Sequence, residues 1–477
     1  MPKLRLMTSP APRRVDTLAR ARSHDPDADS FPDETNMSAL AKKIVVVGGG
    51  NAAGYFARAC VAAGRGSELT IVAAENVLPY ERPALTKGFL HKEGPPRLPG
   101  FHTCVGGGGE RQTQEWYDAN GVEVLLNTRV CAADLPKKTI TTADGVSITY
   151  DTLVVATGCT ALKLPASIGG ALPGVHYVRD NADALALYDA MGSAKRAVVV
   201  GGGYVGLEVA AALASWGLEP RVVLMESHVM SRLWTPTIAA HYEALYESKG
   251  VVFHRGAKVR EIIAGADGAV SGVALESGET LACDLVVVGV GAGCPTAPFD
   301  ALDSTPDKIP GGIKVDATFA ASGAGVEPKS VYAVGDVAAF PLAVAGGALV
   351  RMEHVAHARA SAAHAAAAVL DPSFDEPYEY FPFFYSRVFE QKDSARKVAW
   401  VFYGVAEGET IVVGDFAPKL AAFWIDGGRV VGGMLESGAP EENAAVEAAA
   451  KARKVVDVEA LRACATAEEA VKMVADA

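Results

Sequence analysis

The sequence predicts an α/β fold of two parallel-sheet units, one inserted in the other, followed by a C-terminal α+β domain. Three observations carry this. Two glycine-rich loops lie about 150 residues apart, each ending a valine strand: Lys43-Ile-Val-Val-Val-Gly48-Gly49-Gly50-Asn51-Ala52-Ala53-Gly54 and Ala197-Val-Val-Val-Gly201-Gly202-Gly203-Tyr204-Val205-Gly206. Each is followed about 20 residues later by an acid closing the next apolar strand, Glu75 after Leu69-Thr-Ile-Val-Ala-Ala and Glu226 after Arg221-Val-Val-Leu-Met. A further strand, Ser330-Val-Tyr-Ala-Val-Gly335-Asp336, comes beyond the second unit.

A buried strand, a tight turn and a helix N-terminus in this order form the Rossmann-like cradle for a dinucleotide pyrophosphate. The first glycine permits the turn and the second lets the backbone approach the phosphates. The third position needs a small residue where helix packs on strand, and Ala53 and Gly206 qualify. Helix N–H groups and the helix dipole then face the anion. One such loop also arises as plain structure. Two, each with an acid placed to hydrogen-bond a ribose diol, imply two dinucleotides in one chain.

The remaining elements follow in order. A Pro/Gly-rich loop region spans Pro79 to Gly109, then come strand-like Val122-Glu-Val-Leu-Leu126, a hairpin turn at Ala143-Asp-Gly145 and Thr152-Leu-Val-Val-Ala-Thr157-Gly158. The second unit closes with Leu285-Val-Val-Val-Gly-Val-Gly291. The expected divisions are therefore a tail over 1–36, FAD-type segments over 37–160 and 289–370, and an NAD-type domain over 161–288 between them. Ala358–Leu370 reads as a close-packing helix, and Asp371-Pro372 and Glu376-Pro377 mark a boundary. Residues 371–477 form the α+β domain, with strands at Ala399–Tyr403, Thr410–Val413 and Ala422–Ile425 and a helical tail from about Pro440.

Composition excludes several classes. Half the residues are hydrophobic and 21% charged, enough for a large core, and the net charge of −12 argues against a nucleic-acid surface. No apolar run reaches the roughly 18 residues of a spanning helix, so no membrane role is expected. Seven cysteines show neither Cys-x-x-Cys nor metal-ligand spacing, which fits buried packing in a reducing compartment, with no metal site. A flavin–disulfide reductase would need a close cysteine pair early in the chain, and Cys60 in the first helix is expected to pack. Residues 3–22 carry six Lys/Arg against Asp16 alone. That is transit-peptide composition, and a disordered tail or a start at Met37 is the alternative. The corresponding locations are plastid or mitochondrion, or else the cytoplasm.

Several residues stand out chemically. Arg82 and Lys87, in Pro79-Tyr-Glu-Arg82-Pro83-Ala-Leu-Thr-Lys87, can bind phosphate or hold a carboxylate that steadies a flavin ring, or can be ordinary loop charges. Asp336 can accept a ribityl hydroxyl or cap a helix. Glu353-His354-Val-Ala-His357-Ala-Arg359 opens a helix, with Arg359 available to an incoming anion. Zinc binding is rejected there because the two-His i,i+4 geometry is missing. Tyr385, in Phe383-Phe-Tyr385-Ser-Arg387, reads equally as core or as a side chain reaching the flavin.

At these residues the chain resembles the monodehydroascorbate reductases, NADH-dependent flavoenzymes of plants and algae, over roughly residues 41–440. The resemblance rests on Pro79–Lys87, Arg97-Leu-Pro-Gly-Phe-His-Thr-Cys-Val-Gly106, Glu353–Arg359 and Pro382–Arg387. It implies FAD contacts from Glu75, Arg82, Lys87, Arg179, Asp336, Glu353 and His354. It implies NADH contacts from Gly203, Tyr204, Glu226, Arg232 and Gly291, and an ascorbyl site at Arg359 and Tyr385. No acid–base residue need be essential beyond the flavin. The Glu226 carboxylate would also repel a 2′-phosphate and favour NADH over NADPH. Three segments depart from the family pattern: Gly289–Pro295 is one residue longer, Gln391–Lys397 is inserted, and Ala345–Val350 lacks polar and basic character. The alternatives are a ferredoxin- or rubredoxin-type reductase and a flavoprotein acting mainly by binding, like the apoptosis-inducing factors.

Overall fold

The structure is a computed structural model that describes residues 43–93, 110–305, 311–390, 397–416 and 419–477. The 1–36 tail, Arg97–Gly106 and most of Gln391–Lys397 lie outside the described residues.

The first sheet is parallel, with strands in the order Val331–Ala333, Thr152–Val155, Ile44–Val47, Leu69–Val72 and Glu123–Leu125. Ile44 is level with Leu69 on one side and with Thr152 on the other. Strands covered on both faces read as unbroken apolar runs rather than alternating ones, and Val45 and Val46 are fully buried. The second sheet repeats the plan with Val252–His254, Glu219–Val223, Arg196–Val200, Leu285–Val288 and Val175–His176. All its strands fall between Thr152–Val155 and Val331–Ala333 of the first sheet. The second unit is thus inserted in the first.

The third sheet is antiparallel, in the order Phe383–Val388, Val398–Gly404, Arg429–Glu436, Ala421–Asp426 and Glu409–Val413. Helices Pro440–Lys451, Val458–Ala463 and Ala467–Asp476 contribute to its core through Val446, Leu461 and Val474. The expected hairpin at Ala143–Gly145 joins Thr139–Thr142 to Ser147–Thr149.

Helix Asn51–Ala62 packs against the alanine-rich helix Val355–Leu370. Small side chains permit that approach, and Ala57, Ala362, Ala365 and Ala366 are fully buried. Cys60 is fully buried on the first helix, and burial pushes its thiol up to about 12. It is a packing residue, as its apolar surroundings predict.

Candidate functional site

Both glycine loops close as their sequences require. Gly48 has φ +133°, and a Cβ there would lie 2.2 Å from the Ala156 carbonyl oxygen of the neighbouring strand. Gly206 faces its own loop so closely that a Cβ would sit 2.1 Å from the Gly201 carbonyl oxygen. A Cβ on Gly203, by contrast, would meet nothing within 4 Å. That open face is where a ligand backbone can approach. Helices Asn51–Ala62 and Tyr204–Ser215 carry neither a side-chain cap nor an acid in the first turn. Their first N–H groups and positive dipole ends are left for an anion, so both loops fit a dinucleotide pyrophosphate.

A cavity of about 470 Å³ starts at the first loop, where Gly48, Gly50, Asn51 and Ala52 line it. It runs past Glu75, Arg82 and Lys87, then Arg179 and Asp336, to Glu353 and His354. Tyr204 and Val205 at the start of the helix after the second loop, and Phe384 and Tyr385 of the third sheet, line it as well. All seven residues expected to contact FAD by resemblance therefore line one cavity, together with Tyr385. Ala53 and Gly54 follow on the same helix, buried beneath it. The NAD-type residues divide. Tyr204 and Val205 reach the cavity, whereas Gly201, Gly203, Gly291, Glu226 and Arg232 do not line it. Glu226 and Arg232 are exposed beyond the end of Glu219–Val223.

The cations in this region are held by carboxylates. Arg82 is ion-paired with Glu75, which also accepts from the Tyr80 hydroxyl at 2.7 Å. Lys87 Nζ lies 2.9 Å from Glu208 Oε1. Arg179 Nη2 lies 3.1 Å from Asp336 Oδ2. Asp336 sits inside the single turn Gly335–Val337 and caps no helix. The α-helix after it begins later, at Val355, with His354 as its N-cap, so Glu353 precedes the helix that its stretch was expected to open. The His354 Nδ1 accepts from the Ala356 N–H at 3.2 Å. Burial, helped by the nearby Lys87 charge, lowers its pKa to about 4, which keeps that nitrogen free to accept. His357 is fully buried and stacks on Phe340 at 4.5 Å between ring centroids.

Arg359 is placed differently from expectation. Its guanidinium is not held ready for an anion alone but donates to Glu81 Oε1 at 2.7 Å and lies 5.1 Å from the Tyr55 ring centroid. Glu81 is buried and also accepts from Asn51 Nδ2 at 2.7 Å and from the Tyr55 hydroxyl at 3.1 Å. The same carboxylate thus joins the first glycine loop to Arg359. Tyr385 is half-buried and within electrostatic reach of Arg359, and its ring centroid lies 5.9 Å from Lys87 Nζ.

Two acids were missed by sequence reasoning. Glu81 stood in a stretch singled out for its cations. Glu208 is buried and takes, besides Lys87, the Ser386 hydroxyl at 2.6 Å and the Thr86 hydroxyl. Its signal was available: it is the lone charge in the apolar run Val205-Gly-Leu-Glu208-Val-Ala-Ala-Ala.

Two dinucleotide cradles, one domain inserted in the other, and a third domain closing the cavity define a flavin- and pyridine-nucleotide-dependent oxidoreductase. In agreement, the family described as pyridine nucleotide-disulphide oxidoreductase matches residues 42–365. The C-terminal domain described as monodehydroascorbate reductase 3-like matches residues 381–467. The chloroplastic/mitochondrial monodehydroascorbate reductase of Arabidopsis thaliana is 48% identical over 435 residues, covering 91% of this chain and 86% of that protein. Chloroplastic monodehydroascorbate reductase 5 of Oryza sativa subsp. japonica is 49% identical, covering 91% and 87%. Among solved structures, a ferredoxin reductase from Rhodopseudomonas palustris is 29% identical with a TM-score of 0.72, covering 83% of this chain and 91% of that one. Putidaredoxin reductase, solved in covalent complex with putidaredoxin, is 26% identical with a TM-score of 0.78, covering 91% and 98%. The chain belongs to the monodehydroascorbate reductase family.

Proposed function

We propose that the protein is an NADH-dependent FAD enzyme that reduces the monodehydroascorbate radical to ascorbate. The observation that carries this reading is one cavity lined by the first glycine loop, by Tyr204 and Val205 at the start of the helix after the second, and by Tyr385. The flavin supplies conversion of a two-electron hydride donor into one-electron steps, which a radical acceptor requires.

The protein's own residues bind and orient. Gly48, Gly50 and the helix start Asn51–Gly54 would take the FAD pyrophosphate, and Glu75 its ribose. Arg82, Lys87, Arg179, Asp336, Glu353 and His354 would line the rest of the flavin. Gly201, Gly203, Tyr204, Val205 and Gly206, with Gly291, would hold the second dinucleotide. Glu226, exposed where a ribose diol would lie, would favour NADH by repelling a 2′-phosphate, and Arg232 would moderate that preference. Arg359 and Tyr385 would meet the anionic radical.

The test is NADH oxidation by the purified flavoprotein, with and without ascorbate plus ascorbate oxidase to generate the radical. Oxidation that depends on the radical and is weaker with NADPH supports the reading. Rapid flavin reduction with no acceleration by the radical moves the acceptor to a protein such as a ferredoxin.

Arg359→Ala tests the substrate end. A charge-assisted hydrogen bond is worth about 1.5–3 kcal/mol, so KM for the radical should rise about tenfold or more while KM for NADH stays within about twofold. Because Arg359 already neutralises Glu81, the variant also leaves a buried carboxylate facing an anion. Glu81→Gln should therefore not raise KM for the radical. Equal KM values for Arg359→Ala and the parent enzyme would remove Arg359 from the substrate site.

A further inference from the structure

The two chain connections that cross between the first sheet and the inserted unit run side by side. Thr160–Ala161, leaving the first sheet, pairs antiparallel with Ala292–Gly293, returning from the second, with Ala161 opposite Ala292 and Thr160 opposite Gly293. The Leu162 N–H donates to the Gly291 carbonyl at 3.0 Å, which continues that register on the far side. Extended one step beyond its last pair on the near side, that register would bring Cys159 opposite Cys294. Hydrogen-bonded and non-hydrogen-bonded positions alternate from 162/291, so on that extension 159/294 would be a non-hydrogen-bonded pair. Such pairs have Cα atoms about 4.5 Å apart and side chains on one face. This lies within the spacing a disulfide can bridge.

Side-chain contacts independently bring both sulfurs to one residue, Asp336. Cys159 Sγ donates to Asp336 Oδ2 at 3.2 Å, and Cys294 Sγ donates to the Asp336 carbonyl oxygen at 3.6 Å. Arg351, whose Nη1 donates to that same carbonyl at 3.3 Å, is electrostatically close to both thiols. Both cysteines are thiols here, Cys159 buried and Cys294 half-buried.

We propose that Cys159 and Cys294 form a dithiol site that hydrogen peroxide oxidises to a disulfide, stapling the two crossing connections together. Cys294, the more accessible and with the Arg351 guanidinium near its thiolate, attacks the peroxide O–O bond. That bond breaks, Cys294 becomes a sulfenic acid, and hydroxide leaves with the thiol proton as water. The Cys159 sulfur then attacks the Cys294 sulfur. The S–S bond forms, the S–O bond breaks, and a second water leaves with the Cys159 proton. Two thiols lose two electrons and two protons, and one peroxide becomes two waters. Burial, with Asp336 adding to it, pushes the Cys159 thiol up, so it waits as a thiol until the sulfenic acid is presented. Neither cysteine lines the flavin cavity, so the site does not depend on which acceptor the enzyme serves.

The test treats the holoenzyme with hydrogen peroxide, blocks remaining thiols with N-ethylmaleimide under denaturing conditions, and maps unreduced peptides by tandem mass spectrometry. The expected product is a Cys159 peptide linked to a Cys294 peptide, two hydrogens lighter than their sum and separated by dithiothreitol. Exposed Cys131 should remain singly modified in the same sample. Oxidation should raise the thermal midpoint of the parent protein, because the bridge closes the chain segment carrying the whole inserted unit, and should not raise that of Cys294→Ser. Recovery of fully alkylated Cys159 after peroxide overturns the proposal. So does a Cys159 link to Cys283, or Cys294 sulfinic acid with no linked peptide.

Discussion

Gly48→Ala should purify as a folded but colourless protein. The added Cβ would lie 2.2 Å from the Ala156 carbonyl oxygen, at a φ of +133° that L-residues rarely adopt. A non-glycine residue in such a region costs about 1–3 kcal/mol by itself, and the overlap with backbone adds to it. Neither strand can yield easily, since Val47 and Ala156 are buried members of the first sheet and its immediate extension. The loop must therefore move, and the pyrophosphate cradle moves with it. Flavin absorbance per protein should fall by about tenfold or more, with far-ultraviolet circular dichroism little changed. Gly203→Ala is the matched control: its Cβ meets nothing within 4 Å, so that variant should keep its colour. A yellow Gly48→Ala protein with full flavin content would show that this loop does not hold the flavin.

The next largest effect is expected at Glu208. Its side chain is 5% exposed and that of Lys87 is 12% exposed, so the pair is largely desolvated. Removing one partner of a buried ion pair typically costs about 3–5 kcal/mol, because the other charge is left without compensation. Glu208→Ala strips Lys87 of its counterion and leaves the Ser386 and Thr86 hydroxyls without their acceptor. The expected outcome is a fall in thermal midpoint of several degrees, together with poorer flavin retention. The double variant Glu208→Ala/Lys87→Met should recover much of the midpoint, since it removes the orphaned charge as well. If the single and double variants melt together, the charge on Lys87 is not the cause.

Much of this architecture could be read from residue order. The runs Ile44–Val47 and Ala197–Val200 announce strands buried on both faces, and only glycine suits the turns that follow them. The alanine-rich stretch near residue 360 announces a helix that allows close approach. The return of a strand at Val331, after a complete second unit, shows that one domain interrupts the other.

Charge partners were less legible. A spacing pattern tells which face a residue occupies but not which distant residue meets it there. Glu81 and Arg359 are 278 positions apart, and Glu208 and Ser386 are 178 apart. Asp336 read equally as a ribityl contact or a cap, and the single short turn that contains it leaves no α-helix there to cap. The cysteines looked scattered because their proximity depends on two crossing connections 135 residues apart, from 159 to 294. No local motif reports such a meeting.

The third sheet carries a consequence for how the molecule comes apart. Trp400 meets Trp234 at 4.9 Å and Tyr242 at 4.9 Å, and the Tyr242 hydroxyl donates to buried Glu436 at 2.6 Å. Tyr80, Leu85, Phe89 and Leu90 of the early loop join the same apolar cluster. Segments from three stretches of chain thus share a single core, and none of them encloses it alone. The C-terminal segment has a core of its own on the helix-covered side of its sheet, but Trp400, Phe402, Trp424 and Met434 are completed only by the shared cluster. Excising it would strip the partners from Trp234 and Tyr242 and turn the inserted unit into a sticky, aggregation-prone fragment. Melting should accordingly be concerted across this core, not a sequence of separate domain transitions.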